Sequence, residues 1–246
     1  MAYAQPQPQR IVSLDLCMDW AAVHFAQRQQ IAALSPMHLR YPIDWIRGTW
    51  PSHNGSLEHV LSQQPDLVLV GQYSAPLLRQ RLQQLGVKVE MLPLPTRLAE
   101  IQTYEYRLRS LMHAQPERTH PAPELHQPKS NAPRLLLLSA NAIGTGRDTF
   151  EHQIIEQAGW RNYLTASGHI ALDLEQLAQD PPEAILFTAP SHPALAYRFA
   201  QHPVLRKQIP AQAWLQTDYW RWQCPGPWTW DLIRQLEQWL DLQPQA

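Results

Sequence analysis

The fold is decided by the stretch Leu57-Glu58-His59-Val60-Leu61-Ser62-Gln63-Gln64-Pro65-Asp66-Leu67-Val68-Leu69-Val70, because the chain contains a second copy of this pattern. The second copy is Leu174-Glu175-Gln176-Leu177-Ala178-Gln179-Asp180-Pro181-Pro182-Glu183-Ala184-Ile185-Leu186-Phe187, aligned without a gap so that Glu175 takes the place of Glu58. Each copy predicts a short helix that ends at a proline, since proline lacks the amide hydrogen that a helix interior needs. The apolar run after the proline predicts a short parallel strand covered on both faces. The repeat therefore predicts two similar αβ lobes, with chance likeness of two ordinary αβ units as the alternative.

The other elements continue the alternation of strands and helices. In the first half we predict strands at Arg10–Leu14, Ile31–Ser35 and Val87–Leu92, a loop at Asp15–Asp19, and helices at Trp20–Gln30 and Pro76–Leu85. In the second half we predict strands at Arg134–Ser139 and Ala213–Thr217, and helices at Phe150–Ala158 and Trp230–Leu240. Such alternation predicts parallel sheets wrapped by helices. Apolar residues along one face predict a long helix from Thr96 to His113 between the lobes.

We therefore predict an α/β fold of two Rossmann-like lobes with parallel sheets, joined by a single long helix. The predicted parts are a flexible N-terminus at 1–9, an N-terminal lobe at 10–95, a linking helix with a proline-rich connection at 96–133, and a C-terminal lobe with the final helix at 134–246. The length of 246 residues suits two lobes of about a hundred residues each.

Composition excludes some classes of function. The net charge of −1 and the charged fraction of 17% argue against a nucleic-acid surface. No apolar run approaches the roughly 20 residues that span a bilayer. Ten tryptophans against nine glycines is an unusual ratio, and tryptophan is favoured in ligand pockets and interfaces. We expect about half of the tryptophans to be core residues instead.

Two features concern the compartment. Ala2-Tyr3-Ala4 has the small-x-small pattern of a signal-peptidase site, although no signal peptide precedes it, and it favours an exported protein. Cys17 and Cys224 are the only cysteines, and neither has a metal-ligand spacing. In an oxidising compartment they are candidates for one disulfide, with two free thiols as the alternative.

Motifs for catalysis and nucleotide binding are missing from the sequence. Gly144-Thr145-Gly146 lacks the third glycine of a dinucleotide fingerprint and the lysine of a phosphate-binding loop. We find no Ser–His–acid order, paired catalytic carboxylates or metal-ligand cluster. The three histidines of the proline-rich segment 115–133 are spaced irregularly, which favours a solvated loop over a metal site. The sequence therefore predicts a protein that is not an enzyme and has no cofactor.

Several segments, in this order and spacing, resemble the helical-backbone periplasmic binding proteins, which serve ABC importers of vitamin B12 and iron–siderophore complexes. The segments are Arg10–Leu14 with Leu16–Asp19, Asn54–Glu58 with Gln64–Val68, Asn141–Gly159, Leu174–Leu177 and Thr217–Trp220. The resemblance extends from Arg10 to Leu240. This chain departs from the family in its short proline-rich segment 115–133, and its cysteines do not match the disulfide of the vitamin B12-binding relative.

The resemblance implies a ligand cleft between the lobes, lined by loops at the carboxyl ends of the strands. The expected ligand-binding residues are Cys17, Met18, Trp50, Tyr73, Arg147, His169, Tyr219, Trp220, Arg221 and Trp222. Aromatic faces suit a wide apolar chelate, and guanidinium groups suit its anionic groups. Packing within its own lobe is the alternative for each aromatic residue, and solvent exposure is the alternative for Arg221.

Glu58 and Glu175 have a separate implied role. The resemblance places one acidic residue on each lobe tip, where it meets an arginine pocket of the two-fold transporter. Two equivalent charges suit docking to a symmetric partner. Stabilisation of the first turn of each helix is the alternative, and both roles are compatible.

We therefore expect a periplasmic, monomeric solute-binding component of an ABC importer that delivers a metal chelate to the permease and ATPase complex at the inner membrane. An iron–siderophore and a corrinoid such as vitamin B12 are the leading ligands. A heme-binding protein of the same fold, an α/β metal-dependent hydrolase and a ligand-free scaffold or sensor are the alternatives. The sequence leaves open which chelate is bound and whether a lipid anchor is present.

Overall fold

The chain folds as two α/β units. The structure is a computed structural model that describes residues 6–41, 46, 48–114, 126–188, 198–217 and 219–243. One unit comprises Met1–Leu94 with Gln102–Pro121, and the other comprises Pro95–Ile101 with Ala122–Ala246. The predicted α/β class is confirmed.

The sheet of the first unit is parallel, as predicted, and its four strands are in the order β2-β1-β3-β4. Its strands are β1 (Ile11–Ser13), β2 (Ile31–Ala33), β3 (Leu67–Gly71) and β4 (Val89–Leu92). Its first four helices are α1 (Leu16–Phe25), α2 (Met37–Arg40), α3 (Leu57–Ser62) and α4 (Pro76–Gln84). Helix α5 (Ile101–Met112) also belongs to this unit, except for its first residue, Ile101, which belongs to the second unit. All five residues of β3 are buried, because a central parallel strand is covered on both faces.

The second unit contains a mixed sheet in the order β10-β9-β5-β6-β8, with β7 beside β5. Its strands are β5 (Arg134–Leu138), β6 (Ile143–Thr145), β7 (Arg161–Asn162), β8 (His169–Ala171), β9 (Ala184–Phe187) and β10 (Trp214–Gln216). Its helices are α6 (Phe150–Gln157), α7 (Leu174–Gln179), α8 (Pro203–Gln208), α9 (Tyr219–Gln223) and α10 (Thr229–Asp241).

The prediction of a parallel sheet in the second unit is wrong in one part. Strand β6 is antiparallel to both β5 and β8. The chain reverses directly after β5 through Asn141 and Ala142, whose φ angles of 59° and 57° are left-handed. This region is uncommon for residues other than glycine, so the apolar pattern alone does not reveal the reversal.

The linking helix is shorter than predicted. A 3-10 turn at Leu98–Glu100 precedes α5, which ends at Met112. In the proline-rich connection, residues 115–125 lie outside the described residues.

At the N-terminus, residues 1–5 also lie outside the described residues. The next residues are attached to the first unit, since the Pro8 carbonyl accepts a hydrogen bond from Gln30 (2.7 Å) and the Gln9 amide donates to Asp66 (2.7 Å).

The sequence repeat is also a repeat of structure. In the first unit the Arg10 amide donates to the Asp66 carboxylate (3.0 Å) and the Asp66 amide donates to the Arg10 carbonyl (3.1 Å). In the second unit Arg134 and Glu183 exchange the same two bonds, at 2.7 and 3.1 Å. Strand registers agree as well, since Ile11 pairs with Leu67 and Leu135 pairs with Ala184. Each unit therefore begins its sheet with the same reciprocal clasp between an arginine and an acidic residue.

Candidate functional site

The carboxyl ends of the parallel strands are the expected ligand-binding edge of the first unit, since the connections that leave these ends shape the crevices of open α/β sheets. Three large side chains in these connections are solvent-exposed: Tyr73 is 87% exposed, Leu77 78% and Leu39 68%. Tyr73 and Leu77 follow β3, and Leu39 follows β2. Exposed apolar groups at one sheet edge mark a place that an apolar ligand could cover.

Of these three residues, the sequence predicted only Tyr73. Helical periodicity could have predicted the exposure of Leu77. Leu82 is fully buried, and Leu77, five positions earlier, lies on a different face of the same helix. Leu39 belongs to the four-residue helix α2, which is too short to show a periodic pattern.

Asp15 connects two strand ends at this edge. Its Oδ1 accepts from the Met18 amide (3.1 Å) and caps α1, and its Oδ2 accepts from the Gly71 amide (2.7 Å) at the end of β3. A Cβ at Gly71 would lie 3.2 Å from Asp15 Oδ2, which is tighter than ordinary contact. A glycine at position 71 therefore suits this approach of the carboxylate to the backbone.

The N-cap at Asp15 corrects the prediction that Cys17 and Met18 lie in a loop. The predicted loop Asp15–Asp19 is the N-cap and first turn of α1, because Asp15 satisfies a free helix amide. Met18 is fully buried in that turn, so it is unsuited to ligand contact and we remove it from the predicted ligand-binding residues. Cys17 is partly buried. Neither cysteine is a free thiol, and both are disulfide-bonded.

Trp50 is partly buried and held by its own unit. The Arg28 guanidinium lies 4.2 Å from the centre of the indole ring, and Arg28 Nη2 donates to the Thr49 carbonyl (2.7 Å). One ring face is thus covered by a cation. The buried Nε1 of Trp50 has no hydrogen-bond partner among the described residues.

In the second unit the structure brings Arg147 and His169 together. Both side chains are exposed. His169 begins β8 opposite Thr145 of β6, and its Nδ1 lies 3.5 Å from Thr145 Oγ1. The Arg147 amide donates to the Ala166 carbonyl, and its carbonyl accepts from the Gly168 amide, both at 2.8 Å. Strand β6 meets the last residue of β5 through Gly144, and Arg147 lies two residues beyond the end of β6, where it bridges Ser167. The two exposed groups, a cation and an imidazole, therefore lie on adjacent segments of backbone.

The ribbon requires glycine beside Arg147. A Cβ on Gly146 would lie 2.0 Å from the Ala166 carbonyl oxygen, a separation that no side chain tolerates. The sequence fragment Gly144-Thr145-Gly146 therefore has a packing role in a β-ribbon, which agrees with its rejection as a nucleotide-binding loop.

The predicted aromatic loop at 219–222 is helix α9. Trp222 is 3% exposed, and its Nε1 donates to Thr217 Oγ1 (2.8 Å). Its indole is thus a satisfied core group, and we remove it from the predicted ligand-binding residues. Trp220 and Arg221 are partly buried, and the side chain of Tyr219 lies outside the described residues.

Glu58 and Glu175 occupy equivalent positions in the two units. Each is exposed in the first turn of a six-residue helix, α3 or α7. Side chains cap both helices: Ser56 accepts from the His59 amide (3.2 Å), and Asp173 accepts from the Glu175 amide (2.8 Å). Among the described residues, neither glutamate forms an ion pair. Both carboxylates are therefore accessible to a partner.

Within the described part of the chain, no group of three or more His, Cys, Asp or Glu residues could hold a metal ion. None of the helices found in those same ranges is long and apolar enough to cross a membrane.

Several solved structures similar to this chain are periplasmic binding proteins. The heme-binding protein HutB of Vibrio cholerae aligns over 95% of this chain and 99% of its own, with a TM-score of 0.73 and 18% identity. A periplasmic heme-binding protein from Pseudomonas aeruginosa covers 97% and 95%, with a TM-score of 0.65 and 21% identity. The vitamin B12-binding protein BtuF of Vibrio cholerae covers 96% and 98%, with a TM-score of 0.61 and 18% identity. No protein-family model and no curated protein matches the sequence. The chain thus has the fold of the periplasmic solute-binding proteins.

Proposed function

We propose that this protein is the periplasmic solute-binding component of an ABC importer, and that it captures a metal chelate and delivers it to a permease and ATPase complex. The shared fold supports a binding protein rather than an enzyme, since the similar structures are named as heme-, vitamin B12- and iron-binding proteins. The observation that carries the proposal is the exposure of Tyr73, Leu77 and Leu39 at the strand ends of the first unit. These groups suit a ligand with a large apolar face.

Among the chelates, the exposed side chains favour heme. A phenol and an imidazole are both groups that ligate heme iron in proteins. Each unit exposes one such group, since Tyr73 of the first unit is 87% exposed and His169 of the second unit is also exposed. The Arg147 guanidinium suits the carboxylates of such a ligand. A ferric siderophore and a cobalamin remain the other two chelates of the proposal, and the same apolar surface suits a corrin ring.

The test is a binding titration with heme, a panel of cobalamins and a panel of ferric siderophores. Binding is followed by tryptophan fluorescence and by the absorption spectrum of the chelate. We expect saturable one-to-one binding of one chelate class, with a shifted heme absorption band if heme is that ligand. Absence of a response to all three classes would overturn the proposal. Turnover of a substrate without tight binding of any chelate would favour the hydrolase alternative instead.

Tyr73→Phe tests the role of the phenol oxygen. If heme is the ligand, this variant shifts the absorption band and weakens binding by about tenfold, which corresponds to ~1.4 kcal/mol. Tyr106→Phe is the matched control, because Tyr106 is another tyrosine of the first unit and is 75% exposed. Equal effects of both variants would remove Tyr73 from the site.

A further inference from the structure

A buried carboxylate occupies the core of the first unit. Asp19 in α1 has no exposed surface. Its Oδ1 accepts from the Ser35 amide (2.8 Å) and from Ser13 Oγ, and its Oδ2 accepts from Ser35 Oγ (2.6 Å). All three donors are neutral. Since burial of a charge without a paired cation is unfavourable, the arrangement calls for a reason beyond stability.

The bonds of Asp19 join two strand ends. Ser13 is the last residue of β1, and Ser35 comes two residues after β2. Both serines are fully buried. The carboxylate therefore fixes the start of the long segment between β2 and α3 against the neighbouring strand. That segment contains Trp50 and leads into the helix of Glu58.

The other end of the segment is attached to the same place. His53 is buried, and its Nε2 donates to the Ser13 carbonyl (2.8 Å), while its Nδ1 accepts from the Gly55 amide (3.0 Å). The tautomer follows from these partners, since an amide can only donate and a carbonyl can only accept. Burial lowers the pKa of His53, in agreement with a neutral ring. Two backbone bonds close the segment, from Leu34 to Pro51 (2.8 Å) and from His53 to Leu34 (3.1 Å).

We propose that Asp19 is a positioning residue, which through Ser13, Ser35 and His53 holds both ends of the segment between β2 and α3 and so places Trp50 and Glu58 for function. The proposal rests on the proposed chelate-binding and docking roles of this edge. Asp19 itself touches no ligand, because it is fully buried. Trp50 lies three residues before His53 and Glu58 five residues after it, so displacement of this anchor moves both.

The first test measures chelate binding by Asp19→Ala, Asp19→Asn and Ser35→Ala. Leu82→Ala is the control, because Leu82 is a fully buried core residue of the same unit without a bond to this network. At a temperature where all variants are folded, we expect Asp19→Ala to weaken binding by about tenfold and Asp19→Asn, which retains one acceptor oxygen, to weaken it less. Unchanged affinity in Asp19→Ala, together with a stability loss like that of Leu82→Ala, would make Asp19 merely structural.

The second test needs no ligand and thereby separates this proposal from the proposed function. Amide hydrogen exchange reports the opening of individual bonds. In Asp19→Ala we expect faster exchange at Leu34, His53 and Gly55, with unchanged exchange at Gly71, whose amide is held by Asp15. Leu82→Ala should not show this pattern. If the wild-type protein binds no chelate, the proposed function fails, but the exchange result still tests whether Asp19 holds the segment. Unaltered exchange at all three amides in Asp19→Ala would overturn the positioning role of Asp19.

Discussion

At the scale of the residue, Asp19 gives the first unit a pH dependence of known sign. Burial raises the pKa of Asp19 from 3.8 to about 7, although hydrogen bonds from Ser13 and Ser35 lower it. Because the folded state then binds the proton more tightly than the unfolded state, the stability due to this group is present below about pH 4 and is lost as the pH rises through about 7. We expect the stability of wild type relative to Asp19→Asn to fall across this window and to stay constant above it.

Urea unfolding of both proteins at a series of pH values measures this difference. The neighbouring groups are Asp15, which raises the pKa of Asp19, and His53, whose own pKa is lowered by burial and by the nearby His59 and His38. His53 acts in the opposite direction, because a histidine with a lowered pKa stabilises the fold above its ordinary pKa of about 6.5 and loses that contribution as the pH falls. His53→Gln therefore serves as a second comparison. Parallel pH curves for wild type and Asp19→Asn would contradict the prediction.

The residues of the candidate site were predictable to an uneven degree. Tyr73 follows a clear buried strand in the sequence and is exposed in the structure, while its contact with a ligand stays a prediction. Met18 and Trp222 lie in helical turns where the sequence predicts loops, and helical geometry turns their side chains into the core. The N-cap signal of Asp15 was available in the sequence for the first of these helices.

At the scale of the element, the parallel sheet of the first unit could be derived from apolar runs and proline positions, whereas the ribbon of β6 and β8 could not. That ribbon depends on left-handed residues at Asn141 and Ala142 and on the close approach of Gly146 to Ala166. Neither condition is encoded in a hydrophobic period. Arg147 and His169 were therefore predicted as separate loop residues, and only the fold shows that they are neighbours.

The clasp of the second unit should contribute more to the stability of the fold than the clasp of the first unit does. The Arg134 side chain donates to both carboxylate oxygens of Asp180 and of Glu183, whereas the Arg10 side chain donates only to the Gln63 carbonyl (2.7 Å) among the described residues. A bidentate network contributes more than a single exposed pair. We expect Arg134→Met to lower the thermal unfolding midpoint by several degrees and the matched Arg10→Met to lower it less.

The same network of Arg134, Asp180 and Glu183 should make the stability of the protein depend on pH in the acidic range. Hydrogen bonds from Arg134 hold the pKa of Asp180 below its ordinary value, and they do so for Glu183 although its burial acts in the other direction. A lowered carboxyl pKa gives stability above the unfolded value that is lost as the pH falls. Arg134→Met should therefore be less sensitive than wild type to acidification below about pH 4.5. Equal losses in both proteins, measured by thermal unfolding, would argue against the network.

At the scale of the whole molecule, Glu58 and Glu175 are expected to act as a pair. Two equivalent exposed carboxylates suit recognition by a two-fold partner. Reversal of both charges, Glu58→Arg with Glu175→Arg, should abolish chelate uptake by cells while the affinity for the chelate stays unchanged. The control is Glu237→Arg, which reverses an exposed charge on α10. Loss of chelate binding in the double variant would show that the two glutamates are not docking residues.

Cys17 and Cys224 are both disulfide-bonded, and we propose that they are bonded to each other. Mass spectrometry of unreduced peptides should then find Cys17 and Cys224 in one cross-linked species. Reduction, or the Cys17→Ser variant, should lower the free energy of unfolding by about 2–4 kcal/mol. Two separate peptides without a link would disprove the pairing.

The clasp that opens each sheet also bears on the ancestry of the chain. Arg10 with Asp66 and Arg134 with Glu183 exchange the same main-chain bonds at the same strand register, and the helix, proline and strand around them match without a gap. Duplication and fusion of one half-length gene would leave this record. Among the described residues, the antiparallel ribbon of β6 and β8 has no counterpart in the sheet of the first unit. The repeat therefore accounts for the shared parallel core of the two units and not for this ribbon.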